Sequence, residues 1–408
     1  MKEPLVFIIE HDYCVLRYVA SSFPNLITVI EAKEGKCDMN IIVLNYEFPP
    51  IGGGAAPVSQ DLAVQLSERG HNVTVVTMGY AQLPAVEVIK GVQVYRLKCW
   101  RRHKGSCKPW EQLTYLLAVR KFMRKHMRDH EYDICHAHFV IPTGEVAKWI
   151  KEKYGIPYII TAHGSDVEGH QRKRSMVIMH QALRKSWRRI VQQAEKVVAP
   201  SAYLMDLMNK NFSISRYVYI PNGVDYKRFH AISQWEDKEK IILVMGRLQR
   251  FKNVQTIIEA LSMIELGEWE VEILGEGPYY ETLNGMVASA GLERKVKFRG
   301  WVDHGSEEQL NYLRRASVYI SASQFENCPM SVIESIAAGC RPLLSDIPAH
   351  RQLVSEDEYY FESDNAQQLA EKLEEYIQGK DYVRQIDVEK YDWENIIIQY
   401  EVLLQKIL

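Results

Sequence analysis

The 408-residue chain contains no uninterrupted apolar run near the ~18–20 residues that a membrane-spanning helix requires. It contains no C-x-x-C pair: its seven cysteines stand at positions 14, 37, 99, 107, 135, 328 and 340. An odd count at wide spacing fits reduced cytosolic thiols better than a disulfide framework or a zinc site. No G-x-x-x-x-G-K-[ST] stretch occurs, which excludes a P-loop. Met1-Lys2-Glu3 opens a segment that lacks both a cationic start and a small-residue cleavage site, so secretion is not expected. With 47% hydrophobic and 25% charged residues, the composition excludes collagen-like, disulfide-scaffold and disordered chains.

What is present points to two domains, since ~100–200 residues per domain is usual and each half can bury a sizeable core. The formal net charge is −2, but it is unevenly spread. Residues 1–39 sum to −2, residues 40–222 to +12 and residues 223–408 to −12. The first half therefore faces an anionic partner on charge grounds. Basic groups concentrate between Arg101 and Arg128, interleaved with Trp110, Leu113, Leu116, Leu117, Phe122 and Met123, and again between Arg172 and Arg189. The first stretch reads as a basic amphipathic helix suited to an anionic membrane surface. The competing reading is a solvated helix face over an ordinary core stripe. No nucleic-acid reader motif accompanies the charge.

From residue 40 the chain alternates short apolar, β-branched runs with longer amphipathic ones. Candidate strands run from Asn40–Tyr46 to Val218–Ile220, and then from Ile241–Gly246 to Pro342–Ser345. Asp225–Lys240 between them is polar and irregular, as in a linker. Fully apolar strands with intervening helices predict parallel sheets covered on both faces, with ligands at the strands' carboxyl ends. Residues 1–38 do not fit this alternation. They read as an extension before a natural start at Met39, or as an extra edge element.

Four stretches fall at expected strand ends. The strongest is Phe325 to Gly339, with Glu326 in a loop and Glu334 inside a short helix entered at Pro329. A carboxylate can grip two vicinal hydroxyls, so the pair suits a hydroxyl-rich ligand. A capping Glu and a surface Glu are the plainer reading. The second stretch, Gly246-Arg247 with Lys252, can hold a diphosphate through a guanidinium fork and a point charge. Ordinary surface charge is its alternative. The third, Gly52-Gly53-Gly54 before Pro57, lets backbone approach a ligand, or is a flexible turn. The fourth is His163-Gly164-Ser165-Asp166. His136 and His138 share one strand face, but with no third ligand nearby in sequence they read as structural or acceptor-side groups rather than a metal site.

In this order, and with Pro200-Ser201, Pro221-Asn222-Gly223-Val224-Asp225 and Gly275-Glu276-Gly277-Pro278, these stretches resemble the GT-B fold retaining glycosyltransferases of family 4. The resemblance covers Met39 to Leu408. It implies an α/β protein of two doubly wound Rossmann-like domains with a cleft between them. The implied division is an extension at 1–38, an acceptor-side domain at 39–225, a nucleotide-sugar domain at 226–390 and a C-terminal helix at 391–408 that crosses back. The implied activity is metal-independent, retaining transfer of a hexose from a UDP-, GDP- or ADP-sugar, with no cofactor, to a glycan or lipid-linked glycan in polysaccharide or glycolipid synthesis. A cytoplasmic protein, peripheral at the inner membrane face, fits that role.

The resemblance also assigns residues. His163, Glu326, Arg247 and Lys252 are the catalytic candidates. Donor contacts fall to Gly53, Gly54, Arg247, Lys252, Glu326, Asn327, Cys328, Pro329, Met330 and Glu334, with Trp301 and Val302 near the base. His138 and Asp166 are acceptor-side candidates. The loop after Glu326 reads Asn-Cys-Pro-Met where Gly-Phe-Gly is common, a departure that bears on the donor sugar. A non-catalytic sugar-nucleotide scaffold or sensor is the competing function.

Overall fold

The protein is described here by a computed structural model over residues 38–170, 174–233, 238–379 and 386–408. The extension expected at 1–38 lies outside the described residues, apart from Asp38. The first sheet contains β1 (Asn40–Leu44), β2 (Asn72–Met78), β3 (Val86–Ile89), β4 (Val92–Leu97), β5 (Ile134–His138), β6 (Tyr158–Thr161), β7 (Lys196–Ala199) and β8 (Tyr217–Tyr219). Their spatial order is 3-4-2-1-5-6-7-8. The second sheet contains β9 (Glu239–Met245), β10 (Glu270–Leu274), β11 (Val296–Gly300), β12 (Ala316–Ser321), β13 (Arg341–Ser345) and β14 (Tyr360–Phe361), in the order 11-10-9-12-13-14.

The pairings of β1 with β2 and β5, of β9 with β10 and β12, and of β12 with β13 are parallel. Fully buried strands such as β6, Tyr-Ile-Ile-Thr, carry no polar alternation because helices cover both faces. Most strands and helices expected from the alternation are present, within a few residues at their ends. Two strands are additions. β3 pairs antiparallel with β4 across the tight turn Lys90-Gly91, and two-residue β14 extends the second sheet. The first sheet is thus not purely parallel. The segment read as an irregular linker contains a helix, Tyr226–His230, capped by the Asp225 carboxylate, which accepts from the Arg228 amide at 3.2 Å.

By its internal contacts the chain divides into two compact units. Among the described residues, those of 38–162, 183–197 and 397–408 form one, and those of 163–182 and 198–396 form the other. In the second unit, Val224 exchanges backbone hydrogen bonds with Tyr391 and Trp393. In the first, Glu401 accepts from Arg69 at 2.7 Å and lies 3.3 Å from His71. Among the described residues no helix is long and apolar enough to cross a membrane.

Candidate active site

In each sheet the strand order reverses at one place, and there two neighbouring loops diverge and leave a crevice at the carboxyl ends. In the second sheet that place lies between β9 and β12. The loop after β9 carries Gly246, Arg247 and Lys252, and the loop after β12 carries Ser323 and Glu326. Sequence-distant residues meet there because their strands are neighbours. Lys252 Nζ lies 2.5 Å from Glu326 Oε1, and Ser323 Oγ donates to the same oxygen at 2.7 Å. Gly246, Lys252, Ser321 and Ser323 also line a small cavity at these strand ends.

Burial alone raises the Glu326 carboxyl, but the Lys252 ammonium and the Ser323 hydroxyl outweigh it and hold the group below the ordinary carboxylate range. Beneath the pair sits His350, fully buried, with Nε2 3.2 Å from Ser321 Oγ and Nδ1 2.8 Å from the Ser345 carbonyl. Ser345 Oγ donates to the Ser323 carbonyl at 2.6 Å, which links His350 to the loop that bears Glu326. Burial lowers the His350 pKa to about 4, so the imidazole is neutral at ordinary pH.

Glu334 lies on the helix Met330–Ala337, with Pro329 at its cap position. A surface Glu there would be solvated, yet this one is 2% exposed. Gln309 Nε2 donates to its Oε2 at 2.7 Å, and His304 Nδ1 stands 3.4 Å from its Oε1. Gln309 is in turn fixed by the Gly305 amide at 2.6 Å. Trp301 is 45% exposed, with Nε1 donating to Asp303 at 2.8 Å, and Val302 packs on the apolar core of this unit.

The loop after β12 has a second anchor. Ser201 Oγ accepts from the Leu204 amide at the start of its own helix and donates to Asn327 Oδ1 at 2.7 Å. Cys328 is half-buried, and burial pushes its thiol up to about 12, which makes it a poor nucleophile. The Gly275 turn is pressed against the β9 loop: a Cβ there would lie 2.0 Å from the Gly246 carbonyl oxygen. Only glycine permits that approach, at φ +137°.

The His163 segment belongs to the same unit. The His163 amide donates to Asp166 Oδ1 at 3.0 Å, so the Asp166 carboxylate closes the turn that presents His163. Burial lowers the His163 imidazole to about 3. Further along the turn, the His170 ring meets Phe325 edge-on at 5.8 Å, and Phe325 stacks on Phe251 at 4.5 Å. An aromatic chain thus joins the His163 segment to the loops of Glu326 and Lys252.

Gly53, Gly54 and His138 lie in the first unit, at the β1/β5 reversal of its own sheet. The Gly53 amide donates to Glu47 Oε2 at 3.1 Å. His138 is buried, with its ring 4.5 Å from that of His136, as their i, i+2 spacing requires. Among the described residues no group of three or more His, Cys, Asp or Glu gathers into a metal cage.

Sequence reading missed Ser323, His350, Gln309 and His304, and it named Asn327 without its contact to Ser201. Ser323 acts within the loop of Glu326, three residues before it, and the others act through contacts between separate elements that leave no local pattern. Only the glutamine two residues inside a Ser-capped helix, near Trp301, offered a faint signal.

Two Rossmann-like sheets, each with polar loop residues at its reversal point, are the architecture of a GT-B glycosyltransferase. The model for Glycosyltransferase Family 4 matches residues 52–228, and that for Glycosyl transferases group 1 matches residues 225–393. The chain belongs to the GT-B glycosyltransferases of family 4. It is 27% identical over 306 residues to the glycosyltransferase TuaC of Bacillus subtilis, named for teichuronic acid biosynthesis, covering 72% of this chain and 73% of that protein. It is 24% identical to the GDP-mannose:cellobiosyl-diphosphopolyprenol α-mannosyltransferase of Xanthomonas campestris, over 89% of this chain and 95% of that one. Anabaena HepE, solved with UDP and glucose, superposes with a TM-score of 0.71 over 90% of this chain and 99% of that chain, at 17% identity.

Proposed function

We propose that the protein is a retaining, metal-independent hexosyltransferase that uses a nucleoside-diphosphate sugar and a glycan or lipid-linked glycan acceptor. The Lys252–Glu326 pair, 2.5 Å apart beside Arg247 at the strand-order reversal, carries this reading. Breaking a sugar–phosphate bond builds negative charge on the departing diphosphate. Arg247 and Lys252 are fixed cations that stabilise that charge. Glu334, oriented by Gln309, accepts from the ribose hydroxyls. Glu326 holds Lys252 in place and contacts the hexose, and neutral His163 offers the transferred sugar a hydrogen bond without charge. UDP, GDP and ADP donors all remain candidates, and the printed names of TuaC and of the polyprenol-dependent mannosyltransferase support a glycan or lipid-linked acceptor. A cytoplasmic enzyme peripheral to an anionic membrane surface fits that acceptor and the +12 charge of residues 40–222.

The test is donor turnover in chelator-treated buffer, with the anomeric configuration of the product read by NMR. The reading requires consumption of one nucleotide sugar and a product with the donor's own anomeric configuration. An inverted product, or turnover that appears only with added divalent metal, would contradict it.

A further inference from the structure

The helix Pro109–His126 buries Glu111, Tyr115, Val119, Met123 and His126 along one face. Its opposite face is not the polar stripe that water selects. Trp110, Leu113 and Leu117 stand outward at i, i+3 and i+7, and are 51%, 55% and 62% exposed. The same stripe continues as exposed Lys121, Arg124 and Lys125. Trp100, 56% exposed, extends the apolar part, and its amide bonds to Thr114 Oγ1 of the helix at 3.1 Å. Two cations sit over the tryptophans: Arg102 lies 5.4 Å from the Trp100 ring and Lys108 4.9 Å from the Trp110 ring. Tryptophans under cations, next to exposed leucines, match the lipid–water boundary, where one end of a side chain is wet and the other is not.

This face is built as one block with the glycine loop. The buried Glu111 carboxylate accepts from the amides of Arg102 at 2.9 Å and Lys108 at 2.6 Å, tying both ends of that segment to the first helical turn. Buried Arg101 donates to the carbonyls of Tyr46 at 3.2 Å and Lys104 at 3.0 Å. The Lys104 carbonyl also accepts from the Gly52 amide at 2.9 Å. Hydrogen bonds and short stretches of chain therefore link Glu111, next to Trp110, to Gly52 without leaving this unit.

We propose that the Trp100–Trp110–Leu113–Leu117 face docks on an anionic lipid bilayer and so sets the Gly52–Gly54 loop at headgroup height. Charge selects the occupant. Residues 100–128 carry nine basic side chains and one acidic one, Glu111, which is buried. A second copy of the chain would bring like charge onto like charge across a two-fold axis. Docking of the face stands on these observations; its use in presenting a lipid-linked acceptor rests on the function proposed above.

The test is co-sedimentation of the full chain with phosphatidylcholine vesicles, with and without roughly a third phosphatidylglycerol, at low and high salt. The expected result is partition into the anionic vesicles, about ten-fold or more stronger than into pure phosphatidylcholine and weakened by salt, with a blue shift of tryptophan emission. The Leu113→Glu, Leu117→Glu double variant should lose about ten-fold or more of that partition and keep its melting temperature and nucleotide binding, because both side chains face water. No partition at low salt, or undiminished partition of the double variant, would overturn the proposal. So would a dimer that dissociates in that variant while vesicles remain unbound. Absence of nucleotide binding with partition intact would instead count against the proposed function and leave the docking face standing.

Discussion

Lys252 and Glu326 are 74 residues apart in sequence, yet their charged atoms lie 2.5 Å apart because β9 and β12 are neighbours in a sheet whose order reverses between them. In the function proposed above, the ammonium meets a diphosphate and the carboxylate keeps it in place. Lys252→Ala removes the cation and leaves Glu326 without its counter-charge. Transfer should fall by about 100-fold or more, equivalent to ~3 kcal/mol of transition-state stabilisation. Steady-state kinetics at saturating donor, with circular dichroism as the control for fold, read this directly. Near-normal turnover would remove Lys252 from the machinery.

Glu334 and Gln309 separate binding from orientation. Glu334→Gln replaces a carboxylate acceptor with an amide, and charge-assisted hydrogen bonds contribute about 1.5–3 kcal/mol. Nucleoside diphosphate affinity should fall by roughly 10–100-fold. Gln309→Leu keeps the carboxylate but frees its orientation, so its loss should be smaller. Calorimetric titration of both variants checks the order, and a larger loss for Gln309→Leu would contradict it.

His350 makes a prediction about pH. Its folded pKa is lowered from 6.5 to about 4 by burial, so below pH 6.5 the unfolded chain takes up a proton that the native chain does not. The stability it contributes is fully present above pH 6.5 and declines as pH falls toward 4. A shift of that size is worth about 3 kcal/mol across the window. Urea denaturation at several pH values should show a shallower decline for His350→Asn than for the parent chain. Equal slopes would mean that His350 titrates as it does in the unfolded chain.

Gly275→Ala should be severely destabilising, although the change adds one methyl group. The Cβ would meet the Gly246 carbonyl oxygen at 2.0 Å and demand a φ that L residues avoid. Overpacking and backbone strain together cost about 2–4 kcal/mol, and donor binding should weaken with the displaced β9 loop. A thermal melt of the variant, with and without nucleotide, measures both effects. Gly285→Ala, inside the helix Tyr280–Ser289 with open space around the added methyl, is the control and should stabilise by about 0.5–1 kcal/mol.

Alternation of apolar runs with amphipathic ones made the two sheets legible, since a strand buried on both faces, such as Tyr158–Thr161, leaves no other pattern. β3 was missed because four half-exposed residues carry little apolar signal, though Val-Glu-Val before Lys90-Gly91 is a hairpin cue. The helix Tyr226–His230 was missed because five residues are too few for periodicity, and only its Asp225 cap marks it. Among site candidates, Lys252, Glu326 and Glu334 stood out by motif. Their supports did not: His350 and Gln309 reach the site through tertiary contacts, and Ser323, three residues before Glu326 in the same loop, belongs to no motif. The basic helix was legible as amphipathic, but which face its leucines take was not. Met123 turned inward, and Leu113 and Leu117 turned to solvent.

The central claim is that a nucleoside-diphosphate sugar binds at the β9/β12 reversal without metal. Titration of UDP, GDP, ADP and their hexose conjugates into the full chain in chelator, followed by thermal stabilisation, tests it most directly. The account predicts saturable stabilisation by one nucleotide family, lost in Glu334→Ala and weakened in Lys252→Ala. Stabilisation that is unchanged in both variants, or that requires added divalent metal, would contradict it.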